Sequence, residues 1–238
     1  TGLLVLVAML LTLAISVSCS KDEKNDTGGG TGSADLDAIA KERGLTPEDL
    51  KHAAMQFVPP GKHDEYVMFA SGGHGGQVLV IGMPSMRILK VIAAFTPEPW
   101  QGYGYGADWG DQVLNNGNPA IPANVNLTWG DTHHPALSET GGEYDGRYLY
   151  INDRANGRMA FIDLRDMRTK QIVAVPNIAT SHGGMFVTPN SDYVHVSSKF
   201  PTPWPWGSYA DVKDYKDKYR GASTWLKIDQ ATGRVNMA

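Results

Sequence analysis

The sequence predicts an all-β fold assembled from repeated sheets in the manner of a β-propeller, and three observations predict it. Short runs rich in Val, Ile, Tyr and Phe recur, separated by turn signals such as Asp145-Gly146, Asn156-Gly157 and Thr232-Gly233. The runs also resemble one another: the stretch from Gln77 to Ile92 lines up with Arg158 to Val173, and both line up with Thr224 to Val235. An aromatic strand precedes each of them, and two of these strands, beginning at Tyr148 and Tyr193, stand 45 residues apart, the length of a four-stranded blade. A blade cannot cover both of its faces alone, so blades require neighbours. A β-sandwich is the competing all-β arrangement.

The elements follow in order. Leu3 to Val17 is apolar apart from Thr12 and Ser16, too short for an ordinary membrane span and suited to the core of an export signal. Ser16-Val17-Ser18-Cys19 then resembles a bacterial lipoprotein cleavage box, with Ser16 where Leu is usual, and makes Cys19 the candidate lipid-attachment residue. Residues 1–19 are read as a signal peptide or lipoprotein signal, and 20–34, rich in Gly, as a flexible tether. Residues 35–57 form a helical lead-in of two short helices, the second announced by Thr46-Pro47-Glu48-Asp49. Residues 58–238 are the N-terminal part of the propeller. Its predicted strands are Tyr66–Ala70, Gln77–Gly82, Ile88–Phe95, Arg147–Asn152, Arg158–Asp163, Gln171–Val175, Tyr193–Ser197 and Ser223–Asp229. An irregular insert, Thr96 to Thr128, separates the first and second repeats; a loop of that length is functional or disordered. Its Gly102-Tyr103-Gly104-Tyr105-Gly106 lacks the strand–loop–helix setting of a nucleotide site. The chain begins without Met and stops in strand-like sequence, so both ends read as interior to a longer protein.

Composition narrows the function. A net charge of -4 and a pI near 5.9, with no basic stripe, exclude a nucleic-acid role. Cys19 is the only cysteine, which excludes a disulfide framework, a thiolate metal site and a c-type haem motif. Export points to a periplasmic or otherwise exported protein, lipid-anchored if Cys19 is acylated.

Three of the seven histidines stand out. His133 and His134 are adjacent in Gly130-Asp131-Thr132-His133-His134-Pro135, and successive side chains of a regular strand point to opposite faces. Both aim at one centre only from a bulge, a turn or a strand end, and the flanking Gly130 and Pro135 favour such an irregularity. His182, in Thr180-Ser181-His182-Gly183-Gly184, precedes the Tyr193 strand much as the His pair precedes the Arg147 strand. Matching positions in successive blades bring loops to one end of a propeller channel. The three are therefore candidate metal ligands and candidate catalytic residues, with Asp131 as a partner for a ring N–H. His74 reads as a tight-turn residue, His195 as structural inside a strand, His52 and His63 as surface positions, and Trp204 and Trp206 as cover for a blade edge. The residues alone leave three classes open: a multinuclear copper enzyme, a zinc-dependent hydrolase with a metal-bound water, and a non-enzymatic propeller lipoprotein acting as a binding module.

Four stretches carry a family resemblance: Ser71 to Arg87, Gly130 to Pro135, Tyr144 to Arg158, and Ile178 to Gly184. From about Leu36 onward the chain resembles the nitrous-oxide reductases, in their second, atypical clade. The resemblance implies a propeller, here about three blades of an expected seven, followed by a cupredoxin domain. It implies that His133, His134 and His182 are three of the histidines around a tetranuclear copper–sulfide cluster. The reaction it implies is the two-electron reduction of nitrous oxide to dinitrogen and water, the last step of denitrification. Where the typical clade carries a further His two places after the pair, this chain has Ala136, outside the matched ligand set. The remaining ligands, a dinuclear copper site and calcium are expected beyond Ala238, and this chain alone is expected to be inactive. The implied partners are a small electron donor such as a cytochrome c and a second subunit in a homodimer.

Overall fold

The computed structural model describes residues 31–96, 130–204 and 211–236. The signal-like segment with Cys19, the tether up to residue 30, most of the insert after Thr96, and Trp206 lie outside the described residues. The chain divides into two compact units, one up to Lys51 and one from His52 onward.

The first unit is helical. α1 (Thr31–Arg43) ends at Gly44, whose φ of +66° lets the Leu45 N–H return to the Ala40 carbonyl at 2.8 Å. α2 (Pro47–Gln56) begins with a reciprocal cap: Asp49 N–H donates to Thr46 Oγ1 at 3.2 Å, and Thr46 N–H donates to Asp49 Oδ2 at 2.7 Å. Pro47 occupies the first helical position, where no N–H is needed. α2 runs on past the unit boundary.

The second unit is built mainly of β-sheet. Its first sheet is β1 (Tyr66–Ser71), β2 (Gln77–Met83) and β3 (Ile88–Ala93), in sequence order and antiparallel. The second is β4 (Thr132–Thr140), β5 (Glu143–Asp153), β6 (Arg158–Asp163) and β7 (Arg168–Ala174), again in sequence order. The third pairs β8 (Phe186–Val187), β9 (Tyr193–Ser197), β12 (Ser223–Ile228) and β13 (Val235–Asn236). A small pair, β10 (Thr202–Pro203) and β11 (Tyr219–Arg220), interrupts it together with the short helix α3 (Tyr215–Lys218). The repeated sequences fall on corresponding strands, β2–β3, β6–β7 and β12–β13, each behind its aromatic strand β1, β5 or β9. These meandering antiparallel sheets are those of a partial β-propeller, and no closed ring is present among the described residues.

The middle sheet is buried on both faces. Val78, Val80 and Ile92 of the first sheet, with Phe95 just beyond it, pack with Leu149, Ile151, Ala160 and Ile162 of the second. Tyr148, Tyr150, Met159 and Phe161, one residue out of phase, pack with Val194, Val196, Leu226 and Ile228 of the third. Alternation along β5 and β6 therefore feeds two cores at once. Burial pushes the Tyr150 phenol pKa up, and its hydroxyl donates to the Gly233 carbonyl at 2.6 Å. The outer sheets leave apolar side chains exposed, among them Met68 and Ile88 on the first and Phe186 and Trp225 on the third.

Two expectations need correction. The β4 strand is absent from the prediction because Pro135 and the polar His pair break its pattern. The Asp145-Gly146 signal lies inside β5, and the hairpin turns instead at Gly141-Gly142, both with positive φ. Gly146, with φ of +68°, sits where the β4–β5 register shifts and serves a bulge.

Candidate metal centre

The His pair stands at the start of β4, where the strand is anchored before it is bent. Gly130 N–H donates to Phe95 O at 2.8 Å, Asp131 N–H to Asp153 Oδ1 at 2.9 Å, and Thr132 N–H to Gly73 O at 3.0 Å. Thr132 pairs with Asp153 and His133 with Asn152; the register then shifts before Ala136 pairs with Tyr150. His134, in that bulge, has φ of +47°, a left-handed conformation uncommon outside glycine. The bulge breaks the strict alternation, so two consecutive imidazoles serve one centre.

His182 arrives on the connection from β7 to β8. Gly183 and Gly184 carry φ of +73° and +57°, and β9 grips their carbonyls: Ser197 Oγ donates to Gly183 O at 3.0 Å, and His195 Nδ1 contacts Gly184 O. His195 Nε2 lies 2.7 Å from Ser223 Oγ. His195 is thus structural, and part of what it holds is the turn carrying His182.

The three rings meet. Centroids of His133 and His182 are 4.8 Å apart, those of His134 and His182 4.9 Å, and those of His133 and His134 5.7 Å. One ligand-capable nitrogen from each lies within 4.8 Å of the others. Nitrogens on a single ion sit at most about 4.2 Å apart, twice a bond of about 2.1 Å. The spread fits one ion after a small contraction, or more than one metal without it. Burial first, then the facing His133 and His134 and the cations Lys199 and Arg154, hold the His182 pKa below its ordinary value. That favours neutral imidazole, the form that binds metal. The chemistry of three imidazoles at this spacing fits copper or zinc.

Asp131 supports the group from a buried position. Its Oδ1 lies 3.0 Å from His133 Nε2, and its Oδ2 accepts from Arg154 Nη1 at 2.9 Å. The approach is an ion-pair contact without hydrogen-bond alignment, and it turns one nitrogen of the His133 ring toward the carboxylate. His74, largely exposed, also reaches Asp131, with Nδ1 3.5 Å from Oδ2, which the tight-turn reading did not foresee. His52 and His63 are exposed.

Sequence reasoning missed the residues behind this arrangement. Asp153 and Arg158 form an ion pair with both side chains buried, Nη2 to Oδ2 at 2.6 Å and Nε to Oδ2 at 2.8 Å. Asp153 also accepts from Asp131 N–H and Ala155 N–H, each at 2.9 Å, and from Asn156 Nδ2 at 2.8 Å. Its backbone carbonyl accepts from Ser181 Oγ at 3.1 Å. One buried carboxylate residue therefore ties the β4 start to the His182 turn. The available signal was the density of Asn, Asp and Arg from Asn152 to Arg158, more than a hairpin turn needs.

Fold and site together define a blade-repeat protein with a histidine triad, able to hold a metal, at loop and strand ends. The chain is a relative of the nitrous-oxide reductases: that of Pseudomonas fluorescens is 38% identical over 186 residues, 75% of this chain and 28% of that protein. The enzyme of Stutzerimonas stutzeri is 35% identical over 191 residues, 79% of this chain and 29% of its own length. That of Ralstonia nicotianae is 33% identical over 93% of this chain. The chain spans a third or less of the length of these relatives. No family model matches it. Among solved structures, hydrazine synthase of Kuenenia stuttgartiensis aligns with a TM-score of 0.42 at 15% identity, covering 71% of this chain and 37% of that one. That likeness is too distant to carry an argument.

Proposed function

We propose that the chain is the N-terminal propeller part of a nitrous-oxide reductase of the second clade. In this reading His133, His134 and His182 hold part of a tetranuclear copper–sulfide cluster. The observation that carries it is the meeting of three imidazoles from two successive sheets, in a chain related to nitrous-oxide reductases over most of its length. The spread of ligand nitrogens, within 4.8 Å, accommodates a multinuclear site, and exposed apolar faces on the outer sheets support further blades. Such a cluster would supply the two electrons that, with two protons drawn from solvent, convert nitrous oxide, a weak ligand and inert oxidant, to dinitrogen and water.

The chain's own residues orient and insulate. Asp131, held by Arg154, faces the His133 ring, the β4 bulge turns His134 beside it, and Asp153 holds both arms from behind, the β4 start through its carboxylate and the His182 turn through its backbone carbonyl. Further ligands, the dinuclear copper site and calcium belong outside the span described here. A periplasmic location, a cytochrome c donor, a homodimer and a lipid anchor at Cys19 complete the reading.

The test is His182→Ala in the full-length protein. Copper per subunit and dinitrogen production with a reduced dye should both fall to near background. Full copper with full activity would remove the reading, because His182 is the ligand that joins the two sheets.

A further inference from the structure

Beside the triad lies a buried polar group that the ligand assignment does not use. Asn152 closes β5 on the face of Tyr148 and Tyr150, where alternation calls for another apolar residue. It is the direct partner of His133 across β4–β5 and of Met159 across β5–β6. Directly opposed residues place their side chains on the same face, so the amide and the His133 ring share one side of the sheet. Asn152 is fully buried, and neither its Nδ2 nor its Oδ1 meets a hydrogen-bond partner among the described residues. The next residue, Asp153, receives Ser181 Oγ, which brings the His182 turn to the same end of β5. Thr180 Oγ1, two residues before His182, is likewise buried and unpartnered.

A buried amide without a partner destabilises a fold, and Leu at this place would extend the apolar face at no such loss. An Asn at this place therefore calls for a group that bonds to it, and the triad stands on the same face. The geometry points to Asn152 as a hydrogen-bonding residue for a small oxygen-bearing ligand held at the His133–His134–His182 centre. An amide presents donors at Nδ2 and an acceptor at Oδ1. It therefore suits a lone-pair-bearing oxygen, and suits water best, which accepts and donates at once. The inference rests on the metal reading of the triad; the two sources of such an oxygen are solvent water and the oxygen end of nitrous oxide.

The experiment is Asn152→Leu in the full-length copper protein, with His182→Ala alongside. Three quantities are read: melting temperature of the metal-free protein, the visible and electron paramagnetic resonance spectra of the copper protein without substrate, and kcat and KM for nitrous oxide. The expected result is an unchanged or raised melting temperature, full copper, and a fall in kcat/KM of about tenfold or more. A spectral change without substrate assigns the ligand to water; a change confined to the kinetics assigns it to the substrate. Unchanged spectra and kinetics overturn the inference. So does a markedly lowered melting temperature, which would mean that protein groups satisfy the amide. Full copper in His182→Ala would instead fail the metal reading itself, so the two failures are distinguishable.

Discussion

Asp153→Ala is the most informative single perturbation, because it removes the buried carboxylate that anchors the start of β4 and pairs with Arg158. The carboxylate accepts from Arg158 at 2.6 and 2.8 Å, with both side chains shut off from solvent. Removing one member of a buried pair leaves the other charge uncompensated and costs about 3–5 kcal/mol. The substitution also strands the Asp131 and Ala155 N–H groups, each worth about 1–3 kcal/mol if left unmet. These losses overlap, since one relaxation serves several groups, so we expect about 4–6 kcal/mol in total. Against a typical stability of about 5–15 kcal/mol, that leaves the variant marginal. The assay is urea and thermal unfolding of the metal-free protein for Asp153→Ala, Arg158→Met and the double variant. The double variant should lose clearly less than the sum of the singles, because it no longer buries a lone charge. Single losses below about 1 kcal/mol, typical of an exposed ion pair, would refute the reasoning. So would strict additivity.

Other outcomes follow from the same structure. A Cβ on Gly130 would stand 2.3 Å from Phe95 Cβ and 2.8 Å from Asp153 Oδ2, so Gly130→Ala should cost about 1–3 kcal/mol and lower copper content; a neutral melting curve would contradict this. The hydrogen bond from Arg165, outweighing burial, holds the Asp163 carboxyl below its ordinary value. With the folded pKa below the unfolded one, its contribution is complete above about pH 4 and is lost as pH falls through the folded value. Asp163→Asn should therefore flatten that part of the acid-stability profile, and an unchanged profile would dismiss the ion pair. Cys19→Ala should release the intact protein from membranes into the soluble fraction; unchanged partitioning would favour plain secretion.

Much of the fold was legible because burial and alternation coincide in it. The β2, β6, β9 and β12 strands announce themselves by β-branched and aromatic runs, and their repetition marked the sheets before any contact was known. β4 was not legible, because a strand holding Pro135 and two adjacent histidines violates each local rule for strands. Yet the same violation made the bulge legible: two consecutive imidazoles serve one centre only if alternation fails, and His134 at φ of +47° is where it fails. The Asp145-Gly146 signal misled because Gly141-Gly142 offers two left-handed positions in a row, and one residue pair closes a hairpin.

The supporting network was illegible for a different reason. Charged residues near a turn ordinarily face water, and the density of Asn, Asp and Arg from Asn152 to Arg158 marks the turn without separating a buried carboxylate from an exposed one. Only the third dimension does: β5 lies between two other sheets, so its last residues are covered although they adjoin a turn. Burial converts Asp153 from a solvated charge into a fixed acceptor: its carboxylate positions the Asp131 N–H at the start of β4 and the Ala155 N–H of its own turn, while its backbone carbonyl takes the Ser181 hydroxyl. Precision at the triad therefore comes from residues outside it. His133 takes its place from Asp131 and the β4 ladder, and His182 from Ser181, Ser197 and His195. Three imidazoles on three flexible side chains would otherwise lose much of their binding energy in being ordered; held in advance by the sheets, they lose less.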